Sequence, residues 1–441
     1  MKQIVLVIFT GFNIIANAQN VGIGITAPTS GLHIINDNGV IVKGTINSGA
    51  VINESGAGSK FIFNPRKGGA IRAGYLSDIG IAYWDDVSTG YYSIALGHNS
   101  KASNSGSVAI GENAIATGTN STAIGYGCSA EVANSICLSG VGCYAKSQFS
   151  VAIGNYASAN RYGSVAIGRN INAGYTAAGY GENSYAIGIG DNTNFTVGGH
   201  YATGARAFAF GNNCRSVGDR AFAIGNDCEA GQFFESGQTG RYSFSIGNSC
   251  SASGIFSFAI GNNANTNGHA GAMVLGSRVD GVSVISPADY HFLAQFAGGY
   301  QLQSNNAGTL GVYLNPNTSS WASICDKNRK EMVLPMNDEE VLNKLAAIDY
   351  TSWKYIDDPD ISNRHYGIMA QDFYAAFGKD DLGKIGNDTL VNPVDLLGVA
   401  YSAIKALEKR TDEIITLKSE NMLLKARLEK LEMLITKRKA L

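Results

Sequence analysis

Residues 107–120 read SVAIGENAIATGTN, and the motif begins again at Ser121 with STAIG. Twelve such five-residue rungs lie between Ser93 and Gly276, and the closing positions of the first six are 14 or 15 residues apart. Short tandem repeats of nearly constant period are typical of solenoids, in which each repeat forms one coil that stacks on the next. In order, the rungs are SIALG, SVAIG, STAIG, SICLS, SVAIG, SVAIG, SYAIG, AFAFG, AFAIG, SFSIG, SFAIG and AMVLG.

Each rung alternates small or polar residues with branched apolar residues and ends at glycine, which predicts a short strand followed by a tight turn. A strand of this kind cannot bury its apolar face alone, so neighbouring coils must stack and share one core. We therefore predict a mainly β protein built on a parallel β-roll with 14-residue repeats. We expect the rung serines to hydrogen-bond between coils. The rung isoleucines should form one vertical column: Ile110, Ile124, Ile153 and Ile167.

Three repeats are longer than the others, and the period resumes in phase after each of them. The spacing lengthens to 20 residues before Gly188, to 23 before Gly211 and to 22 before Gly247. The additional residues must therefore leave the roll as surface loops. The predicted loops are Thr176–Asn183, Thr193–Ala202 and Gln232–Thr239.

Composition excludes several classes of function. Charged residues make up 15% of the chain and the net charge is −2, so there is no electrostatic case for binding nucleic acid or an anionic membrane. The histidines, at positions 33, 98, 200, 269, 291 and 365, are isolated and lack metal-ligand spacing. We therefore expect no metal and no cofactor, and no pair of acids stands out as the carboxylates of a glycosidase.

The first eighteen residues contain Lys2, an apolar run from Ile4 to Phe12, and Ala16-Asn17-Ala18. This order predicts a secretory signal over residues 1–18, cut before Gln19; the alternative is a buried first strand. No later apolar run is long enough to span a bilayer. We expect an exported protein, extracellular or at the cell surface, without a membrane-spanning anchor. Residues 19–90 are expected to cap or attach the roll, because solenoid ends must be covered.

The cysteines follow the phase of the repeat. Four of them lie three residues after the residue that closes a rung. Cys143 is displaced by one residue from that position, and Cys137 replaces a rung alanine. This placement predicts cysteines that act as slightly larger core alanines. The alternative is a ladder of disulfides between stacked thiols such as Cys214 and Cys228, which parallel stacking disfavours because the Cβ directions are poor. Four cysteines lie three residues after a rung-closing residue: Cys128, Cys214, Cys228 and Cys250.

The rungs, which keep motif and spacing together, resemble the head domain of trimeric autotransporter adhesins of the YadA type over about residues 91–276. The resemblance implies a left-handed parallel β-roll over residues 91–280, with three rolls packed side by side in a homotrimer. It also implies contact with a host-surface or matrix protein or with a glycan.

From Ser323 the glycines become fewer and charges occur at helical intervals. The segments EEVLNKLAAIDYTSWKY (339–355), RHYGIMAQDFYAAFG (364–378) and PVDLLGVAYSAIKAL (393–407) follow in that order. Together they resemble the peptidase S74 domain, the intramolecular chaperone of endosialidase-type tail spikes and related bacterial fibres. The resemblance implies a small α+β chaperone domain over residues 323–402, with residues 281–322 as a neck.

In the peptidase S74 family a Ser-Asp pair marks a self-cleavage point, where the serine attacks the preceding peptide bond and a lysine five residues on assists. The resemblance puts Cys325 at the nucleophile position, Asp326 beside it and Lys330 as the assisting base. The scissile bond would then be Ile324–Cys325. Cysteine in place of serine leaves two alternatives: self-cleavage by a thiolate, which is a good nucleophile, or an uncleaved chain in which Cys325 is a buried turn residue.

The last segment has a seven-residue apolar repeat. It predicts a coiled coil of about four to five heptads over residues 403–441; the alternative is one amphipathic helix packed on its own domain. Asn421 sets the register but does not distinguish two strands from three, so a homotrimer is inferred from the resemblances. The first core position of the heptads is occupied by Leu407, Ile414, Asn421, Leu428 and Ile435. The second is occupied by Leu417, Leu424 and Leu431.

Three functions fit this sequence. The first is an exported trimeric fibre or adhesin whose C-terminal domain is an intramolecular trimerisation chaperone. The second is a self-processing peptidase whose only substrate is itself. The third is a phage-derived tail-fibre protein that binds a cell-surface glycan. The predicted export signal favours the first over the third, because phage fibres assemble inside the cell.

Overall fold

The computed structural model describes residues 20–35, 37, 39–53, 56–174, 182–190, 199–234, 237–238, 240–277 and 281–439. The predicted signal sequence lies outside these residues, and so do parts of the three predicted loops. The chain forms two compact units. The first extends to Leu302 and includes Tyr313–Ala322, and the second consists of Gln303–Val312 and Ser323–Leu441.

The first unit contains a parallel β-roll in which each coil gives one strand to a 15-stranded sheet and a shorter strand to a 12-stranded sheet. Ile110 pairs with Ile124, and Ile153 pairs with Ile167. The predicted mainly β solenoid and its vertical isoleucine column are therefore confirmed. The strands of the long sheet are Gly58–Asn64, Ala70–Leu76, Ile94–His98, Val108–Ile110, Thr122–Tyr126, Ile136–Val141, Val151–Ile153, Val165–Arg169, Tyr185–Ile189, Phe208–Asn212, Phe222–Asn226, Phe244–Asn248, Phe258–Asn262, Met273–Ser277 and Phe292–Phe296.

The 12-stranded sheet closes the other side of each coil with strands of two or three residues. These strands are Lys101–Ala102, Ile115–Ala116, Ser129–Ala130, Tyr144–Ala145, Ser158–Ala159, Ile171–Ala173, His200–Ala202, Arg215–Ser216, Glu229–Ala230, Ser251–Ala252, Ala264–Asn265 and Val284–Ile285. Other strands outside these two sheets are Val21–Ile23, Leu32–Ile34, Phe233–Phe234, Gly237–Gln238, Tyr300–Gln303, Gly311–Leu314 and Ala322–Ser323. Single turns of 3-10 helix span Pro65–Lys67, Asp78–Gly80, Asp86–Ser88 and Lys327–Arg329.

The core of the roll is made of small residues. The central residue of each rung is fully buried; it is alanine in nine of the twelve rungs, such as Ala109, and Cys137, Ser245 or Val274 in the others. Because side chains alternate along a strand, the branched residues on either side of it lie on the outer face, and Ile124 is 38% exposed. The stacked alanines therefore form the core, which agrees with the interpretation of Cys137 as a slightly larger core alanine.

Two local interactions fix the shape of each coil. Rung serines bond within their own turn: Ser121 Oγ donates to the Gly118 carbonyl oxygen at 2.7 Å. The predicted bonds between coils are thus wrong for this serine, whose acceptor lies three residues earlier in the chain. The rung glycines are required by close stacking, since a Cβ on Gly225, where φ is +127°, would lie 1.9 Å from the Gly247 carbonyl oxygen.

The long repeats leave the register of the long sheet intact. Val165 pairs with Tyr185 across the first insertion, and Phe222 pairs with Phe244 across the third. The end of the second predicted loop is wrong, because His200–Ala202 forms a strand of the 12-stranded sheet. In the third insertion, Phe233–Phe234 pairs antiparallel with Gly237–Gln238.

A hairpin precedes the first predicted rung. Gly58–Asn64 pairs antiparallel with Ala70–Leu76, and the second of these strands pairs parallel with Ile94–His98. In that register Arg72 stands where the next coil has Ala95. The segment AIRAG at residues 70–74 is thus a rung in which arginine replaces the core alanine.

Arg72 covers the N-terminal end of the alanine core. Its guanidinium is buried and donates to Ser93 Oγ at 2.8 Å and to the Ala102 carbonyl oxygen at 2.7 Å. Burial lowers the pKa of Arg72 to about 10, so the group stays charged at neutral pH. Nearby, the buried indole of Trp84 donates to the Ser100 carbonyl oxygen at 2.8 Å.

The second unit is a small α+β domain followed by a long helix. Helix α1 spans Asp338–Ala346, α2 spans Ala370–Phe377 and α3 spans Pro393–Lys439. The strands Thr351–Trp353 and His365–Gly367 form an antiparallel pair. The apolar core consists of Val341, Ile348, Phe373, Phe377, Val399 and Ala403.

Polar contacts join α1 to the first turns of α3. The Asp338 carboxylate accepts from Ser402 Oγ at 2.6 Å and lies 2.9 Å from Lys405 Nζ. These hydrogen bonds, with Ser402 first, lower the pKa of Asp338. One turn further along α3, Arg410 bonds to Glu339.

Candidate functional site

A single 3-10 turn brings together a thiol and an amine that are five residues apart. Cys325 and Lys330 lie on either side of the turn Lys327–Arg329, and Lys330 Nζ donates to Cys325 Sγ at 2.9 Å. The turn forms because Asp326 caps it, with its side chain accepting from the Asn328 backbone N–H at 2.9 Å. Two of the three residues implied by the resemblance are therefore in direct contact.

Asp326 shapes the turn and has no described contact with the thiol. Its second carboxylate oxygen lies 3.7 Å from Arg329 Nε. Arg329 in turn donates to the Thr309 carbonyl oxygen at 3.0 Å, and the Ile324 backbone N–H donates to the Gly311 carbonyl oxygen at 3.5 Å. These contacts anchor the segment on both sides of the Ile324–Cys325 bond.

The thiol of this pair is accessible from solvent. Cys325 is exposed and Ile324 is half-buried, so the interpretation of Cys325 as a buried turn residue is wrong. A thiol that contacts an amine can transfer its proton and become a thiolate, the nucleophilic form of cysteine. The free cysteines of the described roll are all buried, and they are Cys128, Cys214, Cys228 and Cys250.

The other two cysteines form a disulfide within one coil. Cys137 is bonded to Cys143, and the long sheet has an irregularity between Ser139 and Val141, in the coil that carries one additional residue. The prediction that the cysteines act as core alanines and not as disulfide partners is thus wrong for this pair, and the alternative of a bridge between stacked thiols is wrong for Cys214 and Cys228, which are free. Cys128 Sγ lies 3.6 Å from Cys143 Sγ, and burial raises the pKa of the Cys128 thiol. These three sulfurs lie together, but the bridge occupies two of them.

The outer face of the long sheet carries two rows of mostly apolar residues, with Thr122 as a polar member of the first. From Tyr185 onward the first row is aromatic, with neighbouring ring centroids 5.5 to 6.4 Å apart up to Phe258. The first row is Ile94, Val108, Thr122, Ile136, Val151, Val165, Tyr185, Phe208, Phe222, Phe244, Phe258, Met273 and Phe292. The second row is Leu96, Ile110, Ile124, Leu138, Ile153, Ile167, Ile187, Phe210, Ile224, Ile246, Ile260 and Leu275. All of these side chains are half-buried or exposed.

The outer face of the 12-stranded sheet is mostly polar. Its row includes Lys101, the buried residues Ser129, Ser158 and Asn172, and the ion pair of Arg215 with Glu229 at 2.9 Å. The apolar or aromatic members of the row are Ile115, Tyr144, Tyr201 and Ile285. The two sheets therefore differ in their outer faces although both have alanine on their inner faces.

The apolar heptad positions of α3 from Leu407 to Ile435, called the seam below, have no partner within the described chain. Every described residue of α3 from Leu407 to Lys439 is exposed, and Leu417 is 57% exposed. The alternative in which this part of the helix packs on its own domain is therefore wrong. Only earlier α3 residues, such as Val399 and Ala403, are buried.

Comparison with known families agrees with this architecture. A model described as YadA head domain repeat (2 copies) matches residues 88–114, 102–127, 145–170, 202–227 and 239–269. A model described as chaperone of endosialidase matches residues 325–382, beginning at Cys325. The chain carries YadA head repeats followed by an endosialidase-type chaperone domain. It is a fibre-like or adhesin-like protein with a chaperone domain, and both resemblances predicted from the sequence are confirmed.

Two further observations complete the comparison. A search of curated proteins finds no similar sequence. Among the residues that the structure describes, none of the helices combines the length and apolar character needed to cross a bilayer.

Proposed function

We propose that this protein is an exported homotrimeric surface fibre whose C-terminal region brings three chains together in register. The observation that carries the proposal is the pair of apolar rows on the outer face of the long sheet. Fully burying a valine, isoleucine or phenylalanine side chain contributes about 1.5–3 kcal/mol. Rolls packed side by side through this face would gain that contribution at many positions, and the polar sheet would face solvent.

The seam of α3 supports the proposed role of the C-terminal region. A roll of similar coils that slips by one coil against its neighbour still buries most of its apolar rows. Heptads with Asn421 at a core position discriminate between registers more strongly, because a misplaced amide is buried without a partner. Once the C-terminal helices associate, the rolls are held at an effective concentration in the millimolar range.

Matched substitutions on the two sheets test the proposed interface. Tyr185 and Tyr144 lie on the outer faces of the long and the 12-stranded sheet and are 41% and 40% exposed. We expect Tyr185→Lys to weaken trimer formation in sedimentation experiments, because it would place lysines in an apolar interface. Tyr144→Lys should sediment like the unmodified chain. Equal behaviour of the two variants, or a monomeric unmodified chain, would contradict the proposal.

We also propose that the chaperone domain cleaves its own chain at the Ile324–Cys325 bond. The contact between Lys330 Nζ and Cys325 Sγ and the exposure of this segment support the proposal. Intact-mass measurement of the purified chain should show separation of the segment from Cys325 to Leu441. Cys325→Ala should stay whole and Lys330→Ala should be cleaved more slowly. Lys327→Ala, which changes a neighbouring lysine with no described contact to the thiol, is the control.

A further inference from the structure

We propose that Cys325 makes the cleavage proceed through a thioester at Ile324, from which the N-terminal part of the chain can be transferred to an external primary amine. This inference rests on the self-cleavage proposed above. It adds an acyl-transfer activity, in which the roll becomes covalently attached to an amine-bearing acceptor. It follows from sulfur at position 325, from the amine in contact with it and from the exposure of both.

The first step needs no group beyond those of the turn. The thiol gives its proton to the Lys330 amine, and the thiolate attacks the carbonyl carbon of Ile324. A carbon–sulfur bond forms and the Ile324–Cys325 carbon–nitrogen bond breaks. The electron pair of the broken bond stays on the Cys325 nitrogen, which takes the proton from Lys330 and becomes a free amine. The products are a thioester and an amine, and nothing is oxidised or reduced.

The second step decides what is attached to Ile324. An external amine attacks the thioester carbonyl, an amide bond forms, and the carbon–sulfur bond breaks to restore the thiol. Water attacking the same carbonyl leaves a carboxylate instead. Thiols are stronger acids than alcohols and their anions leave more readily. A thioester is therefore more reactive towards amines and thiols than the oxygen ester that a serine would form.

The surroundings of the turn leave this carbonyl open to an acceptor. All residues from Cys325 to Asn337 are exposed. Active sites that protect a reactive intermediate usually exclude water and other nucleophiles. The described residues around Cys325 form no such enclosure, so that an acceptor molecule can compete with water for the thioester.

Trapping with a small thiol detects the thioester directly. The full-length chain is refolded from denaturant with increasing concentrations of 2-mercaptoethanesulfonate, so that cleavage begins as the domain folds. We expect an N-terminal product that ends at Ile324 and carries the thiol, in a yield that rises with thiol concentration. Hydroxylamine should remove this adduct and a phosphine reductant should not, which distinguishes it from a mixed disulfide on a roll cysteine.

Transfer is then measured with a biotinylated primary amine in place of the thiol. The unmodified chain should give a labelled N-terminal product, whereas Cys325→Ser should be cleaved to the Ile324 carboxylate with at least tenfold less label. Cys325→Ala should give neither cleavage nor label. Circular dichroism of each variant establishes that the domain has folded.

The outcomes separate this inference from the self-cleavage on which it rests. Cleavage that yields only the carboxylate at every thiol and amine concentration overturns the thioester transfer and leaves self-cleavage standing. A chain that stays whole under all conditions overturns both. Equal labelling of the unmodified chain and Cys325→Ser overturns the role assigned to sulfur.

Discussion

The roll and helix α3 both present apolar side chains that one chain leaves uncovered, but they differ in what holds them in shape. In the roll, a core of stacked alanines is completely buried and each rung hydrogen-bonds to the next. In α3, every described residue from Leu407 to Lys439 is exposed. Order in the roll therefore comes from within the chain, whereas order in the distal helix depends on a partner.

This difference has a consequence for assembly. Isolated helices have little stability in water without tertiary packing, so in the proposed trimer the distal part of α3 would gain much of its stability by associating. The roll gains additional burial from association but already has its own core. We therefore expect the two regions to respond differently to changes inside the roll and at the seam.

The largest effect is expected from a substitution that places a side chain where the backbones of two stacked coils are in contact. Gly225→Ala places a Cβ against the Gly247 carbonyl oxygen in a backbone conformation that favours glycine. We expect the free energy of unfolding of the roll to fall by at least about 3 kcal/mol, measured by urea denaturation followed through the β-sheet circular dichroism. The helical signal of α3 should unfold as before.

The control for this substitution is Gly298→Ala. A Cβ on Gly298 would have no atom within 4 Å, and its φ is not in the left-handed region. Its effect should stay within about 0.5 kcal/mol. Similar losses for the two variants would contradict the close-stacking explanation.

The next effect is expected at the seam of α3. Leu424→Asp puts a carboxylate at a core position of the heptads, and we expect the association constant of the full chain to fall at least about 100-fold, or about 3 kcal/mol. Met422→Asp, two residues away and 73% exposed, should sediment like the unmodified chain. A trimeric Leu424→Asp chain would show that the roll associates without the seam.

The sequence predicted the roll because its period is strict, and the cysteine phase placed the rung alanine position in the core, but the pattern did not assign the branched residues to the outer face. In SVAIG both the alanine and its branched neighbours are apolar, so the pattern alone does not assign the two faces. The alanine was the available signal: it stands in nine of the twelve rungs, with Cys137, Ser245 and Val274 in the others, and a position restricted to small side chains is one where coils stack closely. The branched rows vary from Thr122 to Phe222 because no neighbouring coil within the chain encloses them.

At the C-terminal end, the resemblance to the peptidase S74 family implied that Lys330 assists Cys325, and one short turn brings the two side chains into contact. The sequence did not predict the exposure of Cys325, which depends on what packs over the turn. At the N-terminal end, the rung AIRAG was recognisable only if arginine is allowed in an alanine column. Arg72 fits there because it ends the stack, and nearby carbonyl oxygens accept its hydrogen bonds.

A gradual effect on the roll is expected from acid. His200 is buried and neutral: Nδ1 accepts from the Cys214 backbone N–H at 3.1 Å, and Nε2 lies 3.3 Å from the Ala209 carbonyl oxygen, to which it donates. Burial lowers the pKa of His200 to about 4. Between an unfolded pKa of about 6.5 and this value, only the unfolded state takes up a proton.

The stability of the roll should therefore fall as the pH drops from about 6.5 to about 4, by up to about 1.4 kcal/mol per pH unit. Above about pH 6.5 this contribution is fully present. Urea denaturation at several pH values measures it, and His200→Asn should flatten the dependence. His98→Asn, at a half-buried histidine beside Glu112, should keep the slope. An unchanged slope in His200→Asn would show that other groups cause the acid sensitivity.

The smallest effect is expected in the asparagine ladder on the edge of the roll. Asn226 accepts from Asn212 at 2.9 Å and donates to Asn248 at 2.8 Å. We expect Asn226→Ala and Asn248→Ala each to lower the free energy of unfolding by about 1 kcal/mol, with a coupling of about 0.5 kcal/mol in the double variant. Because these bonds lie within one chain, the same coupling should persist in the Leu424→Asp background. Its disappearance there would mean that the roll depends on association for its local order, as the distal helix does.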